Sequence, residues 1–255
     1  MAMAMSSMTD RIIDAAKSIK LLVVSDFDGT IAGFADDPTQ VPINERTMHA
    51  LEELALLPNT FVAILSGRDL ENLTSLVELN APIMLVGSHG AESSSSPVTL
   101  SDEQVAVLQR CTAALEAVAE DFPGSYVEHK PFHRVFHVRR MNNPDQRNVA
   151  LARAREALAG EDVIVKVGKN ILELAMLDIT KGTWIDAVRE QLNCDCVVFA
   201  GDDVTDEDGF RALGDYDLGV KVGPGQTAAH LSIDDDLEAV AEMFTALYEA
   251  RRDYK

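Results

Sequence analysis

Cysteine and positive charge are both scarce in this chain. Its three cysteines, Cys111, Cys194 and Cys196, are odd in number, and Cys194-Asp195-Cys196 matches no zinc spacing. A disulfide framework is thereby excluded, and free thiols in a reducing compartment are expected. Lys and Arg number 22 against 42 Asp and Glu, a formal net charge of −20, which argues against nucleic acid and against anionic membrane surfaces as partners. No apolar run approaches the ~20 residues that cross a bilayer. There is no internal repeat, and the only low-complexity tract is a short serine run at Ser93–Ser96. Of six histidines, four lie between His89 and His137; no pair has zinc spacing, so packing and hydrogen bonding are their expected work. Met1–Met8 lacks a basic start and an apolar middle. It reads as a disordered leader or cloning remnant rather than a signal peptide, and a cytoplasmic location is expected.

What is present is a chain of 255 residues, 47% hydrophobic and 25% charged, long enough for a full core or for a core with a smaller domain. Short β-branched or apolar runs alternate with helical stretches, the pattern of a doubly wound parallel sheet, Rossmann-like, with helices on both faces. Strands are expected at Leu21–Ser25, Phe61–Leu65, Ile83–Val86, Val197–Ala200 and Leu218–Val222, and helices at Glu45–Leu57, Leu70–Glu78 and Lys181–Leu192. The alternation breaks after Gly90, where the serine run and Pro97 have linker composition. Ser101-Asp102-Glu103-Gln104 is then a capping box, opening a helix with Val105, Leu108, Leu115 and Val118 on one side. Strands at Ser125–Lys130 and Arg134–Arg140, a helix near Gln146–Leu158, and strands at Val163–Val167 and Ile171–Leu177 complete an inserted α/β cap. The expected division is core 1–92, cap 93–177 and core 178–255.

The richest motif is Asp26-Phe27-Asp28-Gly29-Thr30, directly behind the strand Leu21–Ser25. Residues two apart on a strand point the same way, so Asp26 and Asp28 can face one phosphorus while Gly29 lets the chain turn away. Three further motifs follow. Ser66-Gly67-Arg68 ends the next strand, offering a hydroxyl and backbone N–H groups to phosphoryl oxygens. Thr180, as N-cap, places Lys181 at a helix start, where its ammonium can neutralise a phosphorylated aspartate. The strand Val197–Ala200 delivers Gly201-Asp202-Asp203-Val204-Thr205-Asp206-Glu207-Asp208, too acidic to hold together without a cation nearby. Thr205 and Asp208 also have the spacing of a capping box, so the same string reads as a capped helix start. A phosphate substrate approaching so acidic a protein needs local positive charge, which a divalent metal and a few placed basic residues would provide.

Together these motifs resemble those of the haloacid dehalogenase phosphatases. Within that superfamily, Gly201-Asp202-Asp203-Val204-Thr205-Asp206-Glu207-Asp208-Gly209-Phe210 is similar to the trehalose-6-phosphate phosphatases. So is Gly87-Ser88-His89-Gly90-Ala91-Glu92, with Ser88 where that family commonly has Asn. In the cap, Val127-Glu128-His129-Lys130 and His137-Val138-Arg139 are similar to the family's Val-Glu-Asp-Lys and His-Tyr-Arg, with His129 in place of Asp. The resemblance implies an Mg²⁺-dependent phosphatase with Asp26 as nucleophile and Asp28 as general acid and base. It implies Mg²⁺ on Asp26, the carbonyl of Asp28 and Asp202, with Asp203 and Asp206 behind them, and Ser66 and Lys181 stabilising charge. Gly67, Arg68, Glu128, Lys130, Arg139 and Glu173 would bind substrate, a small sugar phosphate supplied by a trehalose-6-phosphate synthase. Sucrose 6-phosphate and a mannosyl phosphoglycerate are alternative substrates, and a catalytically silent sugar-phosphate sensor is an alternative of another class.

The cap residues stand out without the resemblance. Glu128 and Lys130 lie two apart on one strand, and His137 and Arg139 on the next, a polar surface suited to sugar hydroxyls. Glu173 interrupts Ile171-Leu172-Glu173-Leu174-Ala175, so it needs a solvent-facing side or a partner.

Overall fold

A strand that is apolar on both faces must be covered on both, and this chain supplies helices in turn with its strands. A computed structural model describes residues 8–93, 100–130, 132–168 and 170–254. In chain order the elements are α1 (Met8–Ala16), β1 (Leu21–Ser25), α2 (Glu45–Ala55), β2 (Thr60–Leu65), α3 (Leu70–Leu76), β3 (Ile83–Gly87), a 3-10 turn at Ser88–Gly90 and β4 (Glu92–Ser93). Next come α4 (Asp102–Asp121), β5 (Tyr126–His129), β6 (His133–His137), α5 (Pro144–Ala157), β7 (Ile164–Gly168) and β8 (Ile171–Ala175). The chain ends with α6 (Lys181–Leu192), β9 (Cys196–Gly201), α7 (Asp206–Arg211), β10 (Leu218–Val222), β11 (Leu231–Ile233) and α8 (Leu237–Asp253). Two compact units result, Met1–Pro97 with Ile179–Lys255, and Val98–Asp178. Of the expected leader only Met8 is described, and it opens α1; of the serine run only Ser93 is described, in β4.

The first unit is a seven-stranded sheet in the order β11-β10-β9-β1-β2-β3-β4, parallel except for the β3–β4 pair. It is the doubly wound architecture that the alternation predicts. All of β1 is buried, because alternate residues enter two different cores. Leu21 and Val23 pack with Leu51, Leu54, Phe244 and Leu247, while Leu22 and Val24 pack with Trp184, Ile185, Phe199 and Phe210. Each such side chain contributes about 1.5–3 kcal/mol by leaving water. This double anchorage makes β1 a rigid base for the residues that follow it.

The second unit has a four-stranded antiparallel sheet, β5-β6-β8-β7. One face buries Phe136, Leu172 and Leu174 against Leu108, Cys111, Leu115, Ala150 and Ala154 of α4 and α5. The capping box at Ser101 forms in full. Val105, expected on the buried side of α4, is 39% exposed; the stripe runs instead through Val107, Leu108, Cys111, Leu115 and Val118. On the opposite sheet face Glu128, Val135, Glu173 and Lys166 are register partners in one row. Glu173 therefore interrupts an apolar strand on its polar side. β6 stops at His137, so Arg139 does not share a strand face with it; it falls in the following turn and is exposed.

Candidate active site

Three adjacent parallel strands, β9, β1 and β2, end at the same level, which brings Asp202, Asp26 and Ser66 to one edge of the sheet. Backbone bonds carry the ladder one step further, from the Asp26 N–H to the Ala200 carbonyl at 2.8 Å and from the Ser66 N–H to the Val86 carbonyl at 2.8 Å. The chain then turns at Gly29, whose φ is +81°. A Cβ there would lie 2.1 Å from a carboxylate oxygen of Asp202, so glycine serves both the turn and the space.

Lys181 is the centre of the arrangement. Thr180 caps α6 reciprocally with Thr183, which sets Lys181 in the first turn with only 2% of its surface exposed. Its Nζ donates to Asp26 Oδ1 and to Asp206 Oδ1, both at 2.6 Å. Burial lowers the ammonium's pKa, but the charges of Asp26 and Asp206 more than offset it and hold the lysine above its ordinary value. Asp206 in turn accepts from the Asp203 N–H at 2.9 Å. Thr205 precedes α7 in helical conformation with no side-chain cap bond, so the expected capping box is not formed. Of the motif's side chains, it is Asp206 that is turned to Lys181.

The carboxylates exceed their cations. Asp26, Asp202 and Asp206 offer oxygens within 4.8 Å of one another. Burial raises the Asp26 carboxyl against the pull of Lys181, and burial with the charge of Asp206 pushes Asp202 up to about 6. Asp202 Oδ1 is buried without a hydrogen-bond partner. An oxygen-only donor set with an orphaned oxygen and unrelieved repulsion fits a hard divalent cation such as Mg²⁺. Lys221, which sequence reasoning overlooked, reaches from β10 to the Asp202 and Val222 carbonyls and is also buried. Its signal was the one it shares with Glu173: a lone charge in an otherwise apolar strand.

Arg68 and Asp28 form a pair of their own. Arg68 Nε and Nη2 donate to the two Asp28 oxygens at 2.7 and 2.6 Å, and Nη1 donates to the Pro38 carbonyl at 2.6 Å and Asn72 Oδ1 at 2.8 Å. The bonds to Asp28 raise the guanidinium's pKa. Ser66 Oγ accepts from the Arg68 N–H at 3.1 Å, and a Cβ at Gly67 would lie 2.6 Å from the His89 ring. Ser88, a departure from the family pattern, donates to Glu92 Oε1 at 3.3 Å, and Glu92 Oε2 accepts from the Leu70 N–H at 2.6 Å.

The cap residues form a separate polar group. Glu128 Oε2 lies 2.8 Å from His137 Nε2, and Lys130 Nζ lies 4.0 Å from Glu128 Oε1. His129 pairs with Glu116 of α4 at 3.0 Å. Burial lowers the pKa of His133, while Glu173 raises it.

The sequence model of trehalose-phosphatase matches residues 24–234. The chain belongs to the trehalose-phosphatase family. The match spans both units and every motif above. A bifunctional trehalose-6-phosphate synthase/phosphatase of Thermoproteus tenax is 31% identical over 87% of this chain and 31% of its own length. A trehalose-phosphate phosphatase of Mycobacterium tuberculosis is 32% identical over 83% of this chain and 57% of its own. The chain thus spans from under a third to just over half of these relatives. A solved trehalose-6-phosphate phosphatase of Aspergillus fumigatus shares the fold, with TM-score 0.76 and 24% identity over 97% of this chain and 99% of that one. Among the described residues, no helix is long and apolar enough to cross a membrane.

Proposed function

We propose that this trehalose-phosphatase family member hydrolyses trehalose 6-phosphate to trehalose and phosphate through an aspartyl phosphate on Asp26. The observation that carries the reading is the buried Lys181 ammonium joined to both Asp26 and Asp206 at the end of the central strand. Such a cation holds one nucleophile oxygen and offsets charge on an incoming phosphoryl group. Asp28 protonates the leaving sugar oxygen, then takes a proton from the water that cleaves the acyl phosphate. Its two oxygens must first leave Arg68, which is then free to meet the phosphate. The Ser66 hydroxyl and the Gly67 N–H donate to phosphoryl oxygens, while the Arg68 N–H, bonded to Ser66 Oγ, holds that hydroxyl in place. Mg²⁺ would be held by Asp26, the Asp28 carbonyl and Asp202, and would supply the positive charge that lets a dianion approach. Asp203 and Asp206 steady that set. Glu128, Lys130, Arg139 and Glu173 bind sugar hydroxyls.

The Thermoproteus tenax relative, a bifunctional trehalose-6-phosphate synthase/phosphatase, supports a trehalose-6-phosphate synthase as the source of substrate. The test is phosphate release from a panel of trehalose 6-phosphate, sucrose 6-phosphate and mannosyl phosphoglycerate with Mg²⁺ present. Trehalose 6-phosphate should give the highest kcat/KM, and Asp26→Asn should abolish turnover without lowering Tm. More than about a tenth of wild-type turnover in that variant, a barrier change of only ~1.4 kcal/mol, would overturn the assignment of the nucleophile.

A further inference from the structure

Glu128 is a half-buried carboxylate on an edge strand, and such a side chain has rotamers to lose on binding a ligand. In this cap it is not left to choose among them. Tyr126 and His137 are direct register partners across the β5–β6 pair, and Glu128 shares their sheet face, diagonal to His137. The Tyr126 and His137 rings stack with centroids 4.6 Å apart and planes 9° from parallel. The Arg140 guanidinium sits 4.7 Å from the centre of the Tyr126 ring. Arg140 is brought there by a close backbone approach: Gly124, with φ +94°, runs beside it, and a Cβ on Gly124 would lie 3.1 Å from the Arg140 carbonyl oxygen. The imidazole so held reaches Glu128 Oε2 at 2.8 Å.

We infer that Tyr126, stacked on His137 and covered by Arg140, is a positioning residue for sugar selectivity: it fixes the imidazole that fixes the Glu128 carboxylate. The inference rests on the reading of Glu128 as a sugar contact. Its physical content is that the flat Tyr126 ring limits His137 to one plane, so Nε2 stays aimed at one carboxylate oxygen and the other oxygen remains turned toward a hydroxyl. The phenol hydroxyl has no part in it. Stacking of this kind is sensitive to the ring and indifferent to the hydroxyl, which separates it from a direct contact with substrate.

The experiment is a double-mutant cycle on the full chain, with kcat and KM measured for trehalose 6-phosphate and for p-nitrophenyl phosphate. Tyr126→Phe should stay within about 2-fold of wild type, whereas Tyr126→Leu should lose about 5- to 20-fold in kcat/KM for trehalose 6-phosphate, mainly through KM, and little for p-nitrophenyl phosphate. In a Glu128→Gln background Tyr126→Leu should cost almost nothing more, because it acts only through that carboxylate. Additive losses, or an equal loss on both substrates, would overturn the inference. So would an inert Tyr126→Leu beside a defective Glu128→Gln, which leaves the sugar reading standing. An inert Glu128→Gln would remove the sugar reading itself, and the inference with it. His137→Gln keeps a donor near Nε2 but removes the stack; it should reproduce the Tyr126→Leu phenotype if that variant does not fold, and wild-type selectivity in it would equally overturn the proposal.

Discussion

Arg68 spends its guanidinium on four acceptors at once, two of them the oxygens of Asp28. Bidentate, charge-assisted bonds of this kind fix an orientation as well as a charge. Arg68→Met should therefore remove both the resting hold on Asp28 and a phosphate contact, and only the share of the loss that runs through Asp28 should depend on the leaving group. A sugar alkoxide needs a proton to depart and a nitrophenolate does not. The variant should lose about 10²-fold or more in kcat/KM for trehalose 6-phosphate and less for p-nitrophenyl phosphate, measured side by side. Equal losses would assign Arg68 to phosphate binding alone. Asp202 permits a second measurement, since its carboxyl is held up near 6 by burial and by Asp206. Removing a destabilised acid relaxes the site, so metal-free Asp202→Ala should melt no lower than metal-free wild type. Wild type should gain ~2.7 kcal/mol at Mg²⁺ one hundred times its Kd, and the variant almost nothing at the same concentration. A matching Mg²⁺ response in both proteins, read by thermal melts with and without EDTA, would place the cation elsewhere. The residues of this site were legible in the sequence because each follows an apolar run at a strand end or opens a helix. The partners of Lys221 and of Arg68 were not, because each bond joins groups on elements that are separate in the chain.

Two elements near the end of the chain show how tertiary contacts, more than local pattern, hold this core together. β10 is fastened at its start by His230, whose Nδ1 accepts the Gly219 N–H at 2.9 Å. That bond requires an unprotonated nitrogen, and burial, aided by the charge of Arg11, lowers the histidine's pKa. With the folded value depressed, the unfolded chain takes up its proton first as pH falls below the ordinary ~6.5. The contribution is thus complete above ~6.5 and is lost on acidification through the lower folded value. The urea midpoint of wild type should fall more steeply between pH 7 and 5 than that of His230→Leu; parallel curves would discount the bond. α8 carries Arg251, whose guanidinium donates to the carbonyls of Ala16 at 2.8 Å, Asn59 at 3.2 Å and Ile19 at 3.4 Å, to Thr60 Oγ1 at 3.2 Å, and to the Ser18 carbonyl. One buried side chain thereby ties three segments. Arg251→Met orphans those acceptors and should destabilise by ~3 kcal/mol, or roughly 6–12 °C in Tm for a chain of this size, with Arg251→Lys recovering less than half. A drop under ~1 kcal/mol in a calorimetric melt would mean water takes the guanidinium's place. Neither α1 nor α8 was foreseen: their apolar residues are spaced as in many helices, and only the strands that they cover distinguish them.

For the whole molecule, the alternation of apolar strands and helices identified the parallel sheet, and the break after Gly90 marked a second unit. Strand ends moved by one to three residues, most at β6, where a turn claimed the last positions, and with it went the expected place of Arg139. The small strands β4 and β11 were missed because they are only two and three residues long and owe their existence to a neighbour. The strand order itself has a consequence for how the protein is made. β1 lies between β2, which follows it closely in the chain, and β9, which is translated only after the entire Val98–Asp178 unit. During synthesis β1 therefore emerges with one edge paired and the other open, and its five residues, all buried in the finished sheet, are an exposed apolar edge for the whole time the second unit is being made. That unit is continuous in sequence and can complete itself meanwhile. The interrupted one cannot, and until Lys181 and Asp202 leave the ribosome Asp26 stands at the end of half a sheet, so a stalled or truncated chain would be aggregation-prone and inactive together.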